Sequence, residues 1–131
     1  MSINVYVDGA GGENSGYGFY VKETGDSFYE KKPNITNNQA EYLAIISALK
    51  KFVESPDEII IFSDSKNTVC QLNHEYAINN EQLRSLAREA WNLIAKNSKI
   101  KITWIPRKEN LAGKHYYIIT NTPGTHTHQT I

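Results

Sequence analysis

The sequence predicts an α/β domain on a mixed five-stranded sheet, three antiparallel strands followed by parallel ones, with flanking helices. Three observations carry this. The chain reads strand, strand, strand, helix, strand, helices, strand. Its hydrophobic period changes from two to that of a helix near residue 36 and back near residue 58. Ile59-Ile60-Ile61-Phe62 is an unbroken apolar run, as in a central, parallel strand covered on both faces.

Residues 3–8 alternate apolar and polar and stop at Gly9, which makes the first strand. Gly11, Gly12, Asn14 and Ser15 mark a loop. Residues 16–22 and 27–32 are two further strands joined at Thr24-Gly25-Asp26, so the first three form an antiparallel meander. After Thr36-Asn37-Asn38, the residues Tyr42, Ile45, Ile46, Leu49, Phe52 and Val53 recur at three- and four-residue steps. That is a helical stripe, opened by an Asn and closed by Ser55-Pro56-Asp57. Residues 58–64 give the fourth strand, followed by a short helix over 66–72 and a longer one over 80–96. Leu83, Leu86, Ala87, Ala90 and Ile94 share one face of the longer helix. Ile100, Ile102 and Trp104 alternate with Lys101 and Thr103 in the fifth strand, and Asn110 to Lys114 can open a last short helix. The domain is expected to span residues 1–120, with 121–131 a flexible tail; Tyr116, Tyr117, Ile118 and Ile119 also suit an extra docked strand.

At 131 residues the chain suits one domain with one core. Fourteen Lys and Arg balance fourteen Asp and Glu, which excludes a polybasic arm or an acidic tail. A hydrophobic fraction of 40% argues against wholesale disorder. Cys70 stands alone, so no intrachain disulfide or cysteine-based zinc cluster is expected. With no leader and no apolar run near the ~20 residues a bilayer needs, the expectation is a cytoplasmic monomer without membrane or obligate protein partners.

The chemistry gathers on three carboxylates. Asp8 ends the first strand and Asp64 the fourth, and the carboxyl ends of parallel strands are where open α/β sheets bind ligands. Glu41 lies early in the following helix, beside the stripe begun by Tyr42. Three converging carboxylates repel one another and are costly to dehydrate. A hard divalent ion, Mg²⁺ or Mn²⁺, resolves that conflict with oxygen ligands alone.

The segments Val5-Tyr6-Val7-Asp8-Gly9-Ala10, Thr36-Asn37-Asn38-Gln39-Ala40-Glu41-Tyr42 and Ile61-Phe62-Ser63-Asp64-Ser65 resemble type 1 ribonuclease H. The likeness is to its compact, archaeal-like form, without an extra basic helix-loop. Gln71-Leu72-Asn73 with Glu75-Tyr76, and Trp104-Ile105-Pro106-Arg107 leading to Asn110, extend the match in family order. The resemblance implies the ribonuclease H fold and hydrolysis of the RNA strand of an RNA/DNA hybrid. It further implies two ions of Mg²⁺ or Mn²⁺ roughly 3.5–4 Å apart, and products with 5′-phosphate and 3′-hydroxyl ends. Asp8 would bridge both ions, and Glu41 and Asp64 would share the leaving-group ion with it.

One departure stands out. The family supplies a fourth carboxylate at the start of its last helix, where this chain reads Arg107-Lys108-Glu109-Asn110-Leu111-Ala112-Gly113-Lys114. Aligning on Ala112 puts Gly113 in that place, and aligning from Arg107 puts Lys114 there. The nearest oxygen donors are Glu109 and Asn110, with water as a third replacement; Asn110 is favoured, presenting its amide oxygen to the ions, with an N-cap as its alternative role. On that reading Asn110→Asp raises metal affinity or turnover.

For substrate, residues 84–114 carry eight basic side chains against two acids, a local charge of +6. By resemblance, Thr36 belongs to a pocket for DNA phosphate. Asn37 and Asn38 approach the backbone, Asn38 and Gln71 read ribose 2′-hydroxyls, and Gly9, Gly11 and Gly12 permit close approach of the RNA strand. The alternatives are a binding module of the same fold that has lost catalysis, or a nuclease for another nucleic acid.

Overall fold

The pairing of the first and fourth strands sets the geometry of the molecule, and everything else is packed to hold it. The computed structural model describes residues 2–113. Strands β1 (Ser2–Ala10), β2 (Gly16–Val21) and β3 (Ser27–Lys31) form the meander, and helix α1 (Asn37–Phe52) leads to β4 (Glu58–Ser63). Helices α2 (Lys66–Leu72) and α3 (Glu81–Ile94) precede β5 (Ile100–Trp104), and a 3₁₀ turn covers Arg107–Glu109. The sheet order is β3-β2-β1-β4-β5. β1 is antiparallel to β2 and parallel to β4, so it joins the two halves of a mixed sheet as expected.

Most element ends fall within a residue or two of the sequence reading, and two features depart from it. β1 runs on through Gly9 and Ala10, which pair with Tyr17 and Gly16, because glycine does not interrupt a strand whose partner continues. The 3₁₀ turn before Asn110 was unanticipated; its three residues are all exposed and leave no hydrophobic period to read. Residues 111–113 begin a helical turn; Lys114, the docked strand expected at 116–119 and the tail expected at 121–131 lie outside the described residues.

Thr36 opens α1 with a capping box: its hydroxyl accepts from the Gln39 N–H while the Gln39 side chain accepts from the Thr36 N–H. The apolar stripe of α1 packs across β1 and β2, and α3 packs against α1. Tyr42, Ile45 and Leu49 are fully buried with Val5, Val7, Ile59 and Ile61 of the two central strands. Each such side chain contributes roughly 1.5–3 kcal/mol by leaving water. At the far end of α1, the Asn97 amide donates to the carbonyls of Phe52, Val53 and Ser55, satisfying backbone groups that a helix terminus leaves open. On the other face of the sheet Tyr6 stacks on Phe62 with ring centroids 5.0 Å apart. Among the described residues no helix is long and apolar enough to cross a membrane.

Candidate active site

Register brings the first two acids together. Tyr6 of β1 lies beside Phe62 of the parallel β4, the last pair of that ladder; Asp8 stands two residues further along β1, and Asp64 directly follows β4. Glu41 arrives from the second turn of α1, and its distance from Asp8 is set by backbone. A Cβ on Gly9 would stand 2.4 Å from both the carbonyl carbon and oxygen of Ala40. Only glycine lets β1 lie this close to the residue preceding Glu41. As a result Asp8, Glu41 and Asp64 each offer a carboxylate oxygen, and these atoms lie within 4.8 Å of one another.

Burial and mutual repulsion act strongly on this cluster. Glu41 is only 8% exposed. Burial, then the charges of Asp8 and Asp64, push its carboxyl up to about 8, against weaker opposition from Arg107 and the Gly9 N–H. Asp8 is raised to about 6 by burial and by Asp64, again opposed by Arg107 and Gly9. Glu41 Oε1 is buried without a hydrogen-bond partner. An orphaned buried acceptor beside two further carboxylates fits a hard divalent ion, which satisfies the oxygen and cancels the repulsion together.

The remaining expected site residues fall into distinct groups. Thr36, Asn37 and Asn38 are exposed at the start of α1, near the loop after β1. Asn37 Oδ1 accepts from the Gly11 N–H at 2.7 Å, so Asn37 also secures that loop. Gly9 and Gly11 both serve packing: a Cβ on Gly11 would meet the Asn37 nitrogen at 2.4 Å. Gly12 has a positive φ of 97° and open space around it. Gln71 is buried and its amide is engaged at both ends, accepting from the Tyr42 hydroxyl at 2.7 Å and donating to the Ala77 carbonyl at 3.2 Å. The geometry makes it a strut between α1 and the loop after α2.

Asn110 meets the site in the opposite sense to the one expected. Its Oδ1 accepts from the Ala112 N–H at 3.0 Å, while its Nδ2 donates to the Val7 carbonyl at 2.8 Å and to Asp64 Oδ2 at 2.9 Å. The cap geometry prevails over the ligand geometry, and the site sees N–H rather than oxygen. Of the two positions expected for a fourth side chain, Gly113 stands beside the site: a Cβ there would lie 3.5 Å from Asp8 Oδ2, with nothing else within 4 Å among the described residues, and Lys114 lies outside them. Glu109 is exposed on the 3₁₀ turn. Two neighbours went unnoticed in the sequence. The Trp104 indole N–H donates to the Asp64 carbonyl at 3.2 Å, and Lys66 Nζ stands 5.7 Å above the Trp104 ring. The available signal was the position of Lys66, two residues after Asp64.

Comparison with known proteins agrees with this arrangement. A family model described as reverse transcriptase-like matches residues 23–114. Ribonuclease H of Campylobacter jejuni is 33% identical over 113 residues, covering 79% of this chain and 77% of that protein. The crystal structure of RNase H1 from the halophilic archaeon Halobacterium salinarum superposes with a TM-score of 0.75 at 28% identity, covering 85% of this chain and 90% of that one. LC11-RNase H1, solved in complex with an RNA/DNA hybrid, shares the fold with a TM-score of 0.74 at 23% identity over 84% of this chain and 89% of that one.

Proposed function

Because the chain belongs to the ribonuclease H family and is a ribonuclease H hydrolase, we propose that it cuts the RNA strand of RNA/DNA hybrids at the Asp8, Glu41 and Asp64 cluster. The observation that carries this reading is the meeting of three carboxylate oxygens within 4.8 Å around an orphaned, buried Glu41 oxygen. Asp8, Glu41 and Asp64 would hold the ions, with Asp8 proposed to serve both and Glu41 and Asp64 the one on the leaving-group side. Bound Mg²⁺ or Mn²⁺ ions would supply an activated water and positive charge at the departing 3′-oxygen. Bond making and breaking then balance: the water oxygen joins phosphorus, the bond from phosphorus to the 3′-oxygen breaks, and a proton ends on that oxygen. The products carry 5′-phosphate and 3′-hydroxyl ends.

Thr36, Asn37 and Asn38, exposed at the start of the helix that carries Glu41, are the groups proposed to meet the hybrid's phosphates and sugars. Contacts of that kind recognise sugar and shape, so cleavage tolerates sequence. The hybrid bound to LC11-RNase H1 supports this substrate by analogy of fold. One chain supplies all three acids, which supports a monomer as the working unit.

The test is incubation of labelled RNA/DNA hybrid, double-stranded RNA and double-stranded DNA with Mg²⁺ or Mn²⁺, beside an Asp8→Asn variant. The expected result is cleavage of hybrid RNA by the parent and none by the variant. Hybrid bound but uncut in either metal would leave a binding module, a reading that the bare Gly113 position favours. Cut DNA would make the protein a different nuclease.

A further inference from the structure

Asn110 is 1% exposed, and its side-chain amide is used at both ends. One nitrogen donates to the Val7 carbonyl, immediately before Asp8, and to one oxygen of Asp64; the amide oxygen accepts from the Ala112 N–H. Rotating the amide by half a turn would face its oxygen toward a carbonyl and a carboxylate, both acceptors, and its NH₂ toward an N–H. The orientation is therefore fixed by its partners. Toward the cluster, Asn110 can only donate.

We propose that Asn110 is a positioning residue, which locks the rotation of Asp64 and ties it to the strand end carrying Asp8, and that it is not itself a metal ligand. This rests on the function proposed above. A carboxylate with one oxygen held by a neutral donor keeps a fixed direction for the other without gaining a competing charge. The same amide spans the end of β1, the residue after β4 and the turn at 111–113. Relative motion of the two aspartates would therefore break one of its hydrogen bonds. Partners of this kind commonly contribute roughly 10- to 100-fold to metal affinity or activity.

Its oxygen also caps the turn at 111–113, so the experiment must separate the two jobs. Serine is a good cap but has no NH₂. Asn110→Ser therefore retains the acceptor for Ala112 while losing both donated bonds. Mn²⁺ binding followed by calorimetry should weaken by about tenfold or more, kcat on labelled hybrid should fall comparably, and KM should stay within about twofold. Asn110→Asp is the second variant, of nearly the same size and also a good cap. Its turnover at saturating Mn²⁺ should fall at least tenfold, since a carboxylate would face Asp64. Wild-type Mn²⁺ affinity and kcat in Asn110→Ser would reduce Asn110 to a cap, and raised turnover in Asn110→Asp would make it a ligand; either overturns the proposal. If instead the unmodified protein neither binds Mn²⁺ nor cuts hybrid, the function proposed for the site fails independently of Asn110.

Discussion

Without metal, the acid cluster should make folding strongly dependent on pH, in a direction unusual for carboxylates. Glu41 is shifted from an ordinary 4.5 to about 8 and Asp8 from 3.8 to about 6. Both native carboxyls hold a proton that the unfolded chain has already released. The native state thus binds more protons between the two values, and stability falls as pH rises. The contribution is fully present below about pH 4 and is lost as pH climbs to about 8. For Glu41 the span from 4.5 to about 8, at 1.36 kcal/mol per pH unit, amounts to about 5 kcal/mol. Asp8 and Glu41 interact, so this figure serves for the cluster rather than being added to a second one. It is comparable with the whole stability of a small domain, roughly 5–15 kcal/mol.

Urea unfolding from pH 4.5 to 8.5 in a chelator measures it. With a slope of about 1.5 kcal/mol per molar urea, the midpoint should fall by roughly 3 M across that range. Millimolar Mn²⁺ should restore most of the loss at pH 8, because the ion binds the native cluster and not the unfolded chain. Glu41→Gln should flatten the profile in chelator and remove most of the Mn²⁺ effect. A midpoint unchanged between pH 5 and 8 in chelator, or an equal fall in Glu41→Gln, would refute the electrostatic account of the site.

Two substitutions test the geometry around that cluster. Gly9→Ala places a methyl 2.4 Å from the Ala40 carbonyl. It should cost about 3 kcal/mol or more of stability and abolish hybrid cleavage even where thermal melting shows folded protein. Gly113→Asp fills the open place beside Asp8 Oδ2. It should lower the metal-free melting temperature at pH 8 through added repulsion and tighten Mn²⁺ binding by about tenfold in calorimetry. Gly113→Asn, of similar size and neutral, should leave the metal-free melting temperature nearer that of the parent.

The parts legible in the sequence were those where chemistry repeats at regular intervals. Tyr42, Ile45 and Leu49 announce a buried helix face, and Ile59 to Phe62 a central strand, because burial acts on every turn or every second residue. Asp8 and Asp64 were legible because Asp8 closes the alternating pattern of β1 and Asp64 directly follows β4. Asn110 was harder: one amide carries both a donor and an acceptor, and which end faces Asp64 depends on the Val7 carbonyl, 103 positions away in the chain. The strut role of Gln71 was hidden for a similar reason, since the Tyr42 hydroxyl that donates to it comes from another helix. Gly9 and Gly11 looked like openings for a ligand, whereas the helix backbone fills the room they leave.

The contact of Gly9 with Ala40 has a consequence for how such a site can vary. The gauge separating Asp8 from Glu41 is main chain against main chain, and the smallest alteration the genetic alphabet offers there already overshoots. No gradual retuning is open from that side. Diversity in cation preference or pace is therefore channelled to the opposite wall, residues 110–113, where the room beside Gly113 accepts substitutions one atom group at a time.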